Sequence, residues 1–124
     1  MKIQESTLGG RGVFATQDYI SGETIEVCPV IKLTQADRKT IDTTALYDYY
    51  YAWGDNSDEA AIALGFGSLY NHSYNPNAKY FKKLEDDTLH IIALRNIHSS
   101  EEILVNYNGD PSDSTPLWFT ADEL

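Results

Sequence analysis

Apolar and polar positions alternate along this chain in runs too short for most helices. Residues 1–7 alternate weakly and read as a strand, 8–12 form a glycine turn, and Val13-Phe14-Ala15 resumes the strand. A second turn at Ile20-Ser21-Gly22 precedes a β-rich run over 23–33. Thr34-Gln35-Ala36-Asp37 has the form of an N-cap with an acidic side chain three positions on, which predicts a short helix to about Ile41. The aromatic run 47–53 is predicted as strand on β-propensity, and a turn at 54–58 separates it from a strand over 60–64. A single helical turn is predicted over 65–70. Residues 79–84 and 88–94 flank Glu85-Asp86-Asp87 as a hairpin, and 103–107 is the last predicted strand. Many short strands with little helix predict a mainly β domain.

Two strings stand out from this pattern. Asn71-His72-Ser73-Tyr74-Asn75-Pro76-Asn77 is a dense run of locally hydrogen-bonding side chains, and its Pro excludes helix or central strand. Some thirty residues later, Glu101-Glu102-Ile103-Leu104-Val105-Asn106-Tyr107 is an acidic turn and a strand that stops at a tyrosine. Loops on a rigid scaffold are where chemistry usually sits.

Composition narrows the classes. At 124 residues the chain forms a single domain, 1–124, with a core over about 2–110 and an irregular tail over 111–124. The single cysteine, Cys28, lies in an apolar stretch and reads as a small buried hydrophobe, so no internal disulfide or cysteine-built metal cluster is expected. His72, His90 and His98 lack metal-ligand spacing, and no metal is expected. No apolar stretch approaches a membrane span and the first residues carry no signal-like apolar region, so an intracellular protein is expected, cytoplasmic or nuclear. A net charge of −10 disfavours direct nucleic-acid binding and suits a basic partner such as a lysine-rich tail; it equally serves solubility.

Taken in order, the turn Gly9-Gly10-Arg11-Gly12, the Asn-His-Ser-x-x-Pro-Asn string and the closing Glu-Glu-Ile-x-x-x-Tyr string resemble the SET domain of S-adenosylmethionine-dependent protein-lysine methyltransferases. The resemblance spans roughly residues 2–110 and includes Gly22-Glu23 and Ala63-Leu64-Gly65-Phe66-Gly67. Tyr74 stands where the family often has Cys, and Ser100 where it commonly has Gly. The cysteine-rich flanks of many members are missing, as in minimal stand-alone SET proteins. The resemblance implies several small sheets with short helices and a C-terminal pseudoknot that threads past the Asn-His-Ser loop. It also implies methyl transfer to a lysine of a basic protein, a histone or histone-like protein among them. The alternatives are a ribosomal or other non-histone substrate, or a non-catalytic module that binds basic peptides. Whether two copies pair as a homodimer to complete the site stays open.

The resemblance assigns Gly10, Arg11, Gly12, Asn71 and His72 to S-adenosylmethionine binding, with Tyr107 beside the reacting groups and Trp118, next to Phe119, closing the site. The residue chemistry is compatible. Glycine lets backbone approach a ligand closely, and an asparagine offers both donor and acceptor. Tyr107 is the expected catalytic residue, its hydroxyl orienting the amine or accepting its proton. The resemblance makes Tyr49 the candidate for the lysine channel, and on a strand it would share a face with Tyr51. Tyr47, Tyr50 and Tyr51 are assigned to core or surface. Each feature also has a plainer reading: a hairpin turn, a self-capping polar loop, and a half-buried tyrosine at a strand end.

Overall fold

A computed structural model describes residues 1–117. Strands β1 (Lys2–Glu5) and β2 (Arg11–Phe14) form an antiparallel hairpin in which Glu5 faces Arg11. The turn between them closes with Gly9 and Gly10 at φ of 97° and 64°, a region that glycine enters without steric cost.

The long strand β3 (Thr24–Leu33) is central to a five-stranded sheet ordered β4-β5-β3-β8-β7. Its first half pairs with β8 (Thr88–Ala93) and its second half with β5 (Glu59–Ala63). Pro29 sits at the handover, opposite the end of β8, where a missing N–H breaks no continuous ladder. Strand β4 (Tyr51–Trp53) extends the sheet beyond β5, and β7 (Ala78–Lys83) forms the predicted hairpin with β8. In β8, Leu89, Ile91 and Ala93 point inward, as the period-two pattern requires. They join Val13, Trp53, Tyr70, Ile97, Ile103 and Val105 in the core.

Helix α1 (Gln35–Ile41) has the predicted capping box, with reciprocal bonds between Thr34 and Asp37. Three expectations fail. The aromatic run is not one strand: Ala45–Asp48 is a 3-10 turn held by Thr44, and only Tyr51–Trp53 is extended. Thr44 caps the Leu46 N–H, a local bond that β-propensity ignores. Residues 65–70 form turns without a helix, because the Glu26 carboxylate accepts from the Phe66 N–H and from the Tyr70 hydroxyl and shapes the segment from outside. The last strand is only β9 (Leu104–Val105), paired in parallel with β6 (Asn71–His72).

That short parallel pair brings the two outstanding strings together. Buried Asn77 extends the join: its amide donates to the Glu102 carbonyl at 2.8 Å, and its side-chain oxygen accepts from the Leu104 N–H at 2.8 Å. A side chain here supplies ladder bonds that Pro76 interrupts. Beyond β9, Asn106 donates to the Asp113 carbonyl and accepts from the Asn108 N–H, folding the following residues back.

Ser100 is the third residue of a turn closed by the Glu101 N–H on the His98 carbonyl, and its φ is 81°. That position of such a turn favours glycine. Ser100→Gly should therefore raise unfolding stability by about 0.5–1 kcal/mol, read by urea denaturation with unchanged m-value.

Candidate active site

The Glu102 carboxylate organises the junction of the three motifs. One oxygen accepts from the Ser6 hydroxyl at 2.7 Å and the other from the Asn71 amide at 2.8 Å. The same amide donates to the Arg11 carbonyl at 3.1 Å. Gly12 lies directly beneath, where a Cβ would run into the Glu102 carboxylate and come within 2.9 Å of the Asn71 amide nitrogen. Gly12 thus has a structural reason to be glycine, whereas a Cβ at Gly10 would meet open space. Glu102 was not a sequence candidate. Its only signal was that the second acid of the Glu-Glu pair precedes an apolar strand directly.

Tyr107 is fixed at three points. Its hydroxyl donates to the Tyr70 carbonyl at 2.6 Å, its N–H donates to His72 Nδ1 at 3.0 Å, and its carbonyl accepts from the Tyr80 hydroxyl at 2.9 Å. Burial first, then the fields of Tyr49, Asp48 and Glu102, push the Tyr107 phenol above the usual tyrosine range. Burial likewise pushes Tyr80 up to about 12. At neutral pH Tyr107 is a protonated phenol, so it serves as a hydrogen-bonding group rather than as a ready proton acceptor.

His72 is buried, with Tyr74 edge-on at 4.4 Å and the Tyr107 ring at 5.1 Å. Accepting at Nδ1 requires the Nε2–H tautomer, and Nε2 has no partner among the described residues. Desolvation lowers its pKa. The structure thus gives the His72 side chain a task the sequence did not suggest, holding the backbone of Tyr107.

Two hollows meet at Tyr107. The smaller, about 100 Å³, is lined by Gly9, Gly10, Arg11, Leu69 and Asn71 on one side. The larger, about 500 Å³, is walled by Tyr47, Tyr50, Tyr51 and Tyr80, with Arg38, Asp42 and Lys82 among its polar groups. Asp48, Tyr49, Ser68 and Tyr107 line both. Tyr51 meets Tyr80 edge-to-face at 4.8 Å and donates to the Gly67 carbonyl at 2.7 Å. The Tyr50 hydroxyl donates to Asp42 and accepts from Arg38.

Of the sequence candidates, Gly10, Arg11, Asn71, Tyr107 and Tyr49 gather around the smaller hollow. Gly12 and His72 stand behind it, against Asn71 and Tyr107 respectively. Tyr49 arrives by another route than expected: it follows the 3-10 turn and is 42% exposed, so it shares no strand face with Tyr51. Tyr47, Tyr50 and Tyr51, assigned to core or surface, all face the larger hollow. Trp118 lies outside the described residues. Among the described residues there is no group of three or more His, Cys, Asp or Glu placed to hold a metal ion, and no helix long and apolar enough to cross a membrane.

The Asn71 amide hydrogens are spent on Arg11 and Glu102, while its side-chain oxygen accepts from no group among the described residues. The open space over Gly10 admits a ligand against backbone.

Comparison with known proteins follows the same lines. The sequence profile of the SET domain matches residues 10–108. The chain is 31% identical over 120 residues to the histone-lysine N-methyltransferase, H3 lysine-37 specific, of Schizosaccharomyces pombe, covering 96% of this chain and 76% of that protein. It is 31% identical over 127 residues to N-lysine methyltransferase KMT5A of Xenopus tropicalis, covering 93% of this chain and 38% of that one. Among solved structures, a Plasmodium falciparum protein described as a candidate histone methyltransferase superposes with a TM-score of 0.68 at 32% identity, over 88% of this chain and 97% of that one. A Chaetomium thermophilum Polycomb Repressive Complex 2 chain, in a humanized mutant form bound to the inhibitor GSK126, shares the fold at 16% identity with a TM-score of 0.69, over 85% of this chain and 14% of that chain.

Two predictions test the network. Glu102→Gln keeps the volume but presents a donor where two acceptors are needed, so it should cost about 1–2 kcal/mol of stability in urea denaturation; an unchanged midpoint would mean the carboxylate holds nothing. The second concerns acid. Burial lowers the folded pKa of His72 below the unfolded value, so as the pH falls the unfolded chain takes up the proton first. Its contribution to stability is therefore full above the unfolded pKa and is lost as pH falls from there towards the folded value. Thermal melts should show Tm falling with acidification from neutral pH. His72→Asn, which keeps an acceptor near Nδ1, should flatten that slope.

Proposed function

This chain belongs to the SET domain family, and we propose that it transfers a methyl group from S-adenosylmethionine to a lysine side chain of a basic protein segment. The observation that supports this most directly is the meeting of two hollows of different character at one buried tyrosine. A donor in the glycine-lined hollow and an amine in the aromatic one would approach each other across Tyr107. Transfer between them needs alignment and exclusion of water more than covalent help.

When bound, S-adenosylmethionine supplies an electrophilic methyl group on a sulfonium. Asn71, Arg11 and the open backbone at Gly10 would hold it. The Tyr107 hydroxyl, which donates to the Tyr70 carbonyl, would stand beside the incoming amine and orient it. Because burial keeps the phenol protonated, the lysine must lose its proton on the way in, to water. The aromatic walls help by desolvating the ammonium, which lowers its pKa. Tyr49, Tyr51 and Tyr80 suit a lysine stem on packing grounds and a cationic head through their ring faces.

The names of the relatives support a histone or histone-like tail as the substrate to try first, and with it a nuclear or chromatin setting. The net charge of −10 favours encounter with such a segment.

Calorimetry on the full chain should register binding of S-adenosylmethionine or its demethylated product. Tyr107→Phe removes one hydroxyl and keeps the ring. It should retain that binding heat and most of the folding stability, while label transfer to histone tails falls by about 10- to 100-fold. Unaltered turnover would remove Tyr107 from this role. A folded sample giving no heat with either ligand would overturn the methyl-transfer reading itself.

A further inference from the structure

Nine basic side chains share this molecule with nineteen acidic ones, so a base should readily find a carboxylate. Lys32, Lys83 and Arg95 do, pairing with Asp87, Asp86 and Glu101. Lys82 does not. It is half-buried in the wall of the aromatic cleft and has no carboxylate or carbonyl partner among the described residues. Another cation, Arg38, lines the same cleft; burial first, and then Arg38, lower the Lys82 pKa. Among the described residues Arg38 itself donates to neutral groups, the Tyr50 hydroxyl and the Ser57 and Glu59 carbonyls. Asp42 reaches Arg38 through the Tyr50 hydroxyl, which donates to it, so its charge offsets Arg38 rather than Lys82.

Two cations lining one partly desolvated cleft raise each other's cost, and an anion entering beside Lys82 lowers it. We infer that Lys82 and Arg38 form an anion subsite in the substrate cleft, which receives an acidic side chain of the substrate close to the target lysine. The inference rests on the methyl-transfer reading and adds a sequence preference to it. The position follows from the strand. Tyr80 and Lys82 lie on the same face of β7, about 7 Å apart, and the Tyr80 hydroxyl touches the Tyr107 carbonyl. An extended substrate advances about 3.3 Å per residue, so the acid falls about two or three residues from the lysine. A cation at this end of the cleft also repels a second lysine of the substrate, which directs the target lysine to the Tyr107 end. A carboxylate and a phosphorylated serine share the required chemistry, negative charge with several acceptor oxygens.

The test is an oriented peptide library with one central lysine and randomised flanks, plus cassettes carrying phosphoserine. It is incubated with the full chain and methyl-labelled S-adenosylmethionine. Peptides with Asp or Glu two or three residues to one side should take label about five- to tenfold better than those with Ala. A stronger preference for phosphoserine would identify the phosphorylated source. Lys82→Met, which keeps the stem, should bring the ratio to about one, and Lys82→Glu should invert it towards Lys or Arg; Lys82→Gln serves if the Met variant does not fold. Labelling without acidic preference at any flanking position, or a preference that survives Lys82→Met, overturns the subsite. If no peptide is labelled, the methyl-transfer reading fails instead. The subsite is then judged by fluorescence anisotropy of a Glu-bearing peptide against its Ala counterpart, where equal binding overturns it.

Discussion

The structure depends on one carboxylate. Glu102 joins three segments far apart in sequence: the N-terminal hairpin through Ser6, the central loop through Asn71, and its own strand. Hydrogen bonds to an ionised acceptor are roughly twice as strong as neutral ones, and each donor left unpaired in a partly buried place costs about 1–3 kcal/mol. The two-residue pair β6 and β9 is too short to fix register by backbone bonds alone. Glu102 and Asn77 fix it with side chains, one on each side of the join. Once β9 is set, Tyr107 must emerge where His72 and Tyr80 hold its backbone.

This arrangement gives the tyrosine unusual rigidity for a residue at a strand end. Hydroxyl, amide and carbonyl each have a partner, the first two in the segment 70–72 and the third on β7. Precise placement matters for a reaction in which alignment carries much of the acceleration. The partner of the hydroxyl, the Tyr70 carbonyl, is positioned in turn by Glu26 acting on the Tyr70 side chain. Glu26 and Glu102 therefore stand behind the two halves of the site, one setting the segment that enters the Asn-His-Ser string and the other the segment that ends in Tyr107.

Much of this was legible in the sequence, and the illegible parts have a common cause. Alternation located the β7–β8 hairpin and both long strands, and the Thr34 capping box located the helix, because those signals are local. Gly10, Asn71 and Tyr107, singled out through the resemblance carried by three motifs, line one hollow. The aromatic run misled because β-propensity favours strand, while the Thr44 cap bends residues 45–48 into a 3-10 turn. Gly12 was read as a ligand contact, whereas its packing against Glu102 becomes visible only when residues ninety positions apart meet. The same holds for Tyr80 and Lys82, ordinary strand residues until the β7 face is seen to form a wall of the cleft.

Charge is distributed by scale. At long range the protein carries a net charge of −10, and a field of that sign acts mostly on the encounter rate of a charged partner. Inside the larger hollow the balance is different: Asp48 lies at the Tyr107 end, shared with the smaller hollow, Asp42 reaches Arg38 through Tyr50, and Lys82 faces the cleft with no carboxylate partner among the described residues. A uniform negative cleft would accept a lysine in any register. A cleft with cations along its wall penalises registers that bring a second basic residue against them, since like charges in partly desolvated surroundings repel more strongly than in water. Attraction from the surface and discrimination in the cleft can thus come from opposite signs of charge without conflict, because solvent screens the first and the aromatic walls exclude solvent from the second.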